Sequence, residues 1–207
     1  MAITTNAELN TAVANWLARS DLTARIPEFI VMAESKFNRT LRHRQMITTT
    51  TLTTVAGTAT VALPSDYAEV RTVTLESSPD RVLTYVTPQR GASLSRDGVS
   101  EKPYNYSIQG SNIIFFKTPD AAYSVTFEYY QQIPDIATNS TNWLLTAASD
   151  LYVAQTLVEA YTYIRKPENA LLWEAKADKI LSQLDNESER SEWGGGAVEA
   201  YADVQVV

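Results

Sequence analysis

The chain has 207 residues, 44% of them hydrophobic and 20% charged, with a formal net charge of -7 and no cysteine. That is enough apolar mass for one ordinary globular domain, or one domain with a large insertion, without help from metal or disulfides. The acidic balance opposes sequence-independent coating of DNA or binding to anionic membrane, and the lack of cysteine removes disulfide frameworks, thiolate metal sites and cysteine nucleophiles.

The first residues, Met1 to Glu8, carry neither the basic start nor the apolar run of a signal peptide. The longest purely aliphatic or aromatic run is Ile113-Ile114-Phe115-Phe116, far below the roughly 18 residues of a membrane span. A soluble protein with an intracellular life and no membrane partner is expected.

Helical signals come first. Thr5 and Glu8 have the spacing of a capping box, and Leu9, Val13, Trp16 and Leu17 then share one face. After a break at Ser20-Asp21, Ile26, Phe29, Ile30, Ala33, Phe37 and Leu41 recur at spacings of three and four, the clearest amphipathic pattern in the chain. Pro27 fits its first turn.

From about 46 to 141 the texture turns to strands. Thr48 to Thr54 is β-branched, charge thins, and alternation is legible in Ala59/Val61/Leu63, Arg71 to Leu75, Val82/Thr84/Val86 and Tyr123/Val125/Phe127/Tyr129. Turn residues at Ala56-Gly57, Ser78-Pro79-Asp80 and Gln109 to Asn112 are short enough to predict antiparallel neighbours.

Helical periodicity returns after Asn142, a fitting cap, with Leu144, Ala147, Leu151, Ala154, Val158, Tyr161 and Ile164 on one face. Pro167 opens a fourth helix through Trp173, Ala177, Ile180, Leu181 and Leu184, which fades by about 190. The fold class expected is therefore α+β: a four-helix bundle, two N-terminal helices over about 5–45 and two C-terminal over 142–190, with an antiparallel β-rich insertion at about 46–141. Residues 1–193 make a single domain in this reading, and 194–207 an extended C-terminal tail.

That tail begins with Gly194-Gly195-Gly196, a hinge. Beyond it Val198, Ala200, Ala202, Val204 and Val206 are apolar and alternate with Glu199, Tyr201, Asp203 and Gln205. A period of two with no later strand to pair with points to strand addition on a partner's sheet edge. Fully extended, 194–207 reaches about 46 to 50 Å, against a radius of gyration of roughly 17 Å for a chain this long.

Catalytic chemistry has few carriers. His43 is the only histidine, and beside Arg42 and Arg44 it reads as a solvated helix-end residue rather than a triad member or zinc ligand. Gly91-Ala92-Ser93-Leu94-Ser95 lacks the second glycine of a nucleophile elbow, and no phosphate loop or dinucleotide fingerprint is present. No catalytic, cofactor or metal residue is assigned. Arg25, Lys36, Arg39, Arg42 and Arg44 make the second helix basic, either as a face for nucleic acid or an acidic partner, or as a solvated face favouring the helix dipole. Tyr104, Tyr106, Tyr123, Tyr129 and Tyr130 suit an interface or half-buried strand positions equally well.

The order of Trp16 to Leu22, Ile26 to Ile30, Ala33 to Arg39, Leu63 to Val70 and Asn142 to Leu145 resembles the head-to-tail adaptor (connector) proteins of tailed bacteriophages, those of short-tailed phages above all. The resemblance covers most of 6–193 and implies a non-enzymatic virion protein at the head-tail junction. It implies a twelvefold homo-oligomeric ring under the portal protein, a platform for tail or nozzle proteins, and a channel through which DNA passes without specific binding during ejection. Its C-terminal segment would reach the portal, making Val198, Ala200, Tyr201, Ala202, Val204 and Val206 the partner-binding residues. An acidic lumen would let the genome slide. The competing readings are a neck or tail-tube protein further from the head and a virion-associated hydrolase.

Overall fold

The computed structural model describes residues 2–95 and 98–192. The chain divides into two compact units, one of residues 1–44 together with 133 onward, the other Gln45–Gln132.

The first unit is helical. Its α1 (Asn6–Leu17) opens with the capping box: the Glu8 N–H donates to Thr5 Oγ1 at 3.3 Å and the Thr5 N–H to Glu8 Oε2 at 3.0 Å. A 3₁₀ turn (Ser20–Arg25) leads into α2 (Ile26–Thr40), where Ile26, Phe29, Ile30, Ala33 and Phe37 are all buried, as is Leu41 beyond its end. This is the stripe expected of an amphipathic helix facing a core.

The C-terminal part of this unit departs from the sequence expectation. Four helices lie there: α4 (Ile136–Asn139), α5 (Trp143–Ala147), α6 (Ser149–Tyr163) and α7 (Pro167–Glu192), α3 (Pro88–Leu94) being in the other unit. Asn142 does cap α5, its Oδ1 accepting the Leu145 N–H at 2.8 Å, but the backbone leaves the helical region at Ala148 and the helix restarts. From Leu151 to Val158 every residue of α6 is buried, and α6 packs against α1, α2 and α7. A bundle of four striped helices around a shared seam is thus not what forms. An all-buried helix serves as hub for amphipathic neighbours, because a helix apolar on every side loses least by being surrounded. With seven helices and two four-stranded sheets among the described residues, the protein is α+β but not a four-helix bundle.

The second unit is a two-sheet sandwich. Its strands are β1 (Ile47–Thr53), β2 (Thr60–Ala62), β3 (Tyr67–Leu75), β4 (Arg81–Val82), β5 (Thr84–Tyr85), β6 (Asn105–Gln109), β7 (Asn112–Phe116) and β8 (Ser124–Gln131). One sheet runs β1-β8-β3-β4 and the other β2-β7-β6-β5. Val73, Leu75, Val125, Phe127 and Tyr129 from the first sheet meet Tyr106, Ile113 and Phe115 from the second in one core, with Leu83 between them. Alternate strand residues thus fill the space between the sheets.

Two short turns do make antiparallel hairpins, β3 with β4 and β6 with β7. The third, at Ala56-Gly57, does not pair the strands on either side of it. β1 pairs with β8, and β2 with β7, so the Gly57 turn, with φ of +78°, carries the chain from one sheet to the other. The alternating run Val82 to Val86 is likewise divided at buried Leu83, leaving β4 on the first sheet and β5 on the second. β5 then pairs parallel to β6, an exception to the antiparallel expectation that needs a crossover connection. The crossover holds α3 (Pro88–Leu94), capped by Thr87, inside the stretch read as strands. Gly91 of α3 lies on the Phe116 ring, where a Cβ would come within 2.1 Å of ring carbon Cζ.

Candidate assembly surfaces

The side-chain chemistry of the helical unit is concentrated on a buried latch. Glu34, 6% exposed, directs Oε1 at two donors: the Ile136 N–H at 3.0 Å and the Tyr152 hydroxyl at 3.1 Å. Tyr152 Oη accepts from Asn142 Nδ2 at 2.7 Å, and the same amide donates to the Pro134 carbonyl at 2.8 Å. One turn further along α2, Asn38 Oδ1 accepts the Ile133 N–H at 2.7 Å. Residues 133–142 are therefore tied to α2 by two backbone amides, those of Ile133 and Ile136, and to α6 by the Asn142 side chain on the Tyr152 hydroxyl. Burial pushes the Glu34 carboxyl up, with the two hydrogen bonds opposing, and burial also pushes the Tyr152 hydroxyl up. Asn142 signalled itself as a cap; Glu34 gave no sign beyond a charged residue on the apolar side of α2.

His43 belongs to packing rather than to a solvated helix end. It is 2% exposed and stacks on Trp143 with ring centroids 5.1 Å apart and planes 18° apart. Burial pushes the Asp185 carboxyl up, and the His43 imidazole pulls it partly back. Among the described residues no group of His, Asp or Glu is placed to hold a metal ion, and no helix is long and apolar enough to cross a membrane.

The five basic positions sit in different local settings. Arg25 pairs with Glu28 at 3.3 Å and lies over the Tyr163 ring, and Lys36 lies 3.8 and 3.9 Å from Glu174 and Asp178 of α7. Arg39 is exposed on the last turn of α2. Arg42 donates to the Asn38 and Leu41 carbonyls, and the Arg44 N–H to Ser188 Oγ at 2.9 Å. The tyrosines also separate: Tyr106 and Tyr129 are core residues, and Tyr104 is exposed beneath the Arg81 guanidinium at 4.2 Å. The hinge Gly194, Gly195 and Gly196 and the residues Val198, Ala200, Tyr201, Ala202, Val204 and Val206 lie outside the described residues.

Exposed large apolar side chains occur on both units: Trp16, Val31, Met32, Tyr163, Leu171 and Leu172 on the helical one, and Val55, Val82, Tyr85, Val99 and Tyr104 on the other. Trp16 meets Trp173 edge-on at 5.2 Å, Lys176 Nζ sits 4.8 Å above the Trp173 ring, and Ala2, Ile3, Ala7, Ala12 and Trp16 line an apolar groove of about 580 Å³ along α1. On the sandwich, β1 closes one side of its sheet with Thr49, Thr51 and Thr53 exposed.

Exposed aromatic and aliphatic side chains and an open sheet edge are surfaces on which a partner could bind. The family model described as SU10 adaptor protein matches residues 4–200, and the chain belongs to that family. It is a structural adaptor protein of a bacteriophage, in agreement with the resemblance to head-to-tail adaptors. A comparison with curated proteins finds no match.

Proposed function

We propose that this protein is a head-to-tail adaptor that assembles as a ring beneath the portal, joins the packed head to tail or nozzle proteins and forms part of the channel through which DNA leaves. The observation that carries the reading is the family match across 4–200. The make-up of each unit suits it: the sandwich has an open edge and the helical unit has exposed apolar side chains, each a surface on which a neighbour can bind. A ring of identical subunits uses a heterologous interface that closes by rotation, and a net charge of -7 per chain favours passage of DNA over its retention. Residues 194–207 act in this reading as the docking arm, hinged at Gly194-Gly195-Gly196 and added as a strand to a partner.

The test is to mix purified protein separately with the portal and with the tail proteins of the same phage, using the full chain and a chain ending at Trp193. Binding to the portal that weakens without 194–207 supports the proposal. Binding to a tail component and none to the portal places the protein further from the head. Undiminished portal binding by the shortened chain removes the docking arm.

A further inference from the structure

Sheet edges are exposed rows of backbone donors and acceptors, and proteins blunt them with shortness, charge, proline or bulges. Three of the four edges in this sandwich are blunted by length: β2 has three residues, and β4 and β5 two each, β4 carrying Arg81. β1 is different. It is seven residues long, Ile-Thr-Thr-Thr-Thr-Leu-Thr, and pairs with β8 in unbroken register from Ile47↔Tyr130 to Thr53↔Ser124. The bulges of the sheet fall on the opposite side of β8, in its pairing with β3. No charged residue occurs between Arg44 and Asp66. A seven-residue, uncharged edge in unbroken register and of high β propensity is a template for another strand.

The same chain carries a segment with the matching pattern. Val198, Ala200, Ala202, Val204 and Val206 alternate with polar residues over nine positions, behind three glycines. On β1, Thr48, Thr50 and Leu52 are half-buried, Leu52 packing on the sandwich core, and Thr49, Thr51 and Thr53 face solvent. A strand laid along β1 would place its even-numbered apolar residues beside Leu52, over the open side of the core. Glu199, Tyr201, Asp203 and Gln205 would fall on the solvent face with the exposed threonines. β1 adds no charge to oppose Glu199 or Asp203.

We propose that residues 198–206 of one copy add as a strand to β1 of a neighbouring copy, so that the arm joins subunit to subunit around the ring. This rests on the reading of 194–207 as an added strand and names its acceptor. The extended reach of about 46 to 50 Å from Gly194 suits an arm that leaves its own subunit. Loss of the arm would then weaken portal docking by breaking up the ring that the portal engages.

Because the natural chain has no cysteine, the pairing can be read by cross-linking. Full-length Thr51→Cys protein is mixed with full-length proteins carrying a single cysteine at each position from 199 to 205, with and without portal, and intermolecular disulfides are counted after mild oxidation. The proposal expects cross-links several-fold stronger at odd positions (199, 201, 203, 205) than at even ones. It also expects loss of ring assembly in Thr51→Lys, whose solvent-facing charge leaves the circular dichroism spectrum unchanged. No cross-link, or one without alternation, overturns the proposal. If 194–207 is nevertheless still required for portal docking, the arm reading stands with another acceptor; if docking does not need 194–207, the arm reading falls as well.

Discussion

Replacing Glu34 tests the latch that fixes 133–142. In Glu34→Ala the Ile136 N–H and the Tyr152 hydroxyl lose their acceptor at 3.0 and 3.1 Å in a site with almost no access to water. An orphaned buried donor costs about 1–3 kcal/mol, so about 2–6 kcal/mol is expected for the two. Glu34→Gln keeps an acceptor oxygen and removes the charge that burial disfavours, and should lie within about 1 kcal/mol of the natural protein. Urea unfolding followed by tryptophan fluorescence is a selective assay, because Trp16, Trp143, Trp173 and Trp193 all lie outside the sandwich unit, Gln45–Gln132. At a slope of about 2 kcal/mol/M, a loss of 3 kcal/mol moves the midpoint by about 1.5 M. The raised carboxyl also sets a pH dependence. The folded state holds this proton more tightly than the unfolded state, so its contribution is full below the unfolded value and is lost as pH rises through the folded one. The slope should vanish in Glu34→Gln. Equal midpoints for Glu34→Ala and Glu34→Gln would refute the account of the latch.

Other substitutions probe single contacts. Gly91→Ala forces a methyl into the Phe116 ring and should cost about 1–3 kcal/mol, measured as a lower melting temperature; adding Phe116→Leu should restore part of it, and a neutral Gly91→Ala would show that the α3 crossover can shift. Thr5→Ala removes the cap of α1 and should cost about 1 kcal/mol, with Glu8→Ala adding little on top since the two residues act as one box. Tyr129, whose hydroxyl donates to Asp66 at 2.9 Å, is pushed up to about 12 by burial and that carboxylate. Its ionisation, read by ultraviolet titration, should come after that of exposed tyrosines, and the late component should shrink in Tyr129→Phe. Since the folded value is raised, stability held at neutral pH declines as pH climbs above the ordinary tyrosine value near 10.

Elements whose signal is local were legible in the chain. The Thr5–Glu8 box and the Ile26 to Leu41 stripe need only their own residues to be recognised, and both are seen in the structure. Where tertiary context decides, periodicity misled. In α6, Leu151 to Val158 are buried on every side, so the apparent stripe was part of an all-round pattern that marks a hub rather than one wall of a bundle. Val82 to Val86 alternates as one strand would, but alternation does not say that Leu83 sits where two sheets part. Thr87-Pro88 did hold a helix start, hidden in β-rich surroundings because α3 is only seven residues long. His43 is buried by Trp143, a partner 100 residues away that neither neighbouring arginine announces. Of the candidate site, the side chains of Arg25, Lys36 and Arg42 have local partners while Arg39 is exposed, and the latch through Glu34 depends on contacts no sequence window contains.

The proposed role is assembly on the portal. Its most direct test is the mass of the complex formed when the full chain is mixed with the portal protein of the same phage. Twelve copies of a 23.0 kDa chain would add about 276 kDa in one discrete step, and the account predicts such a step for the full chain and its loss for a chain ending at Trp193. Well-folded components that give no discrete increase would contradict it.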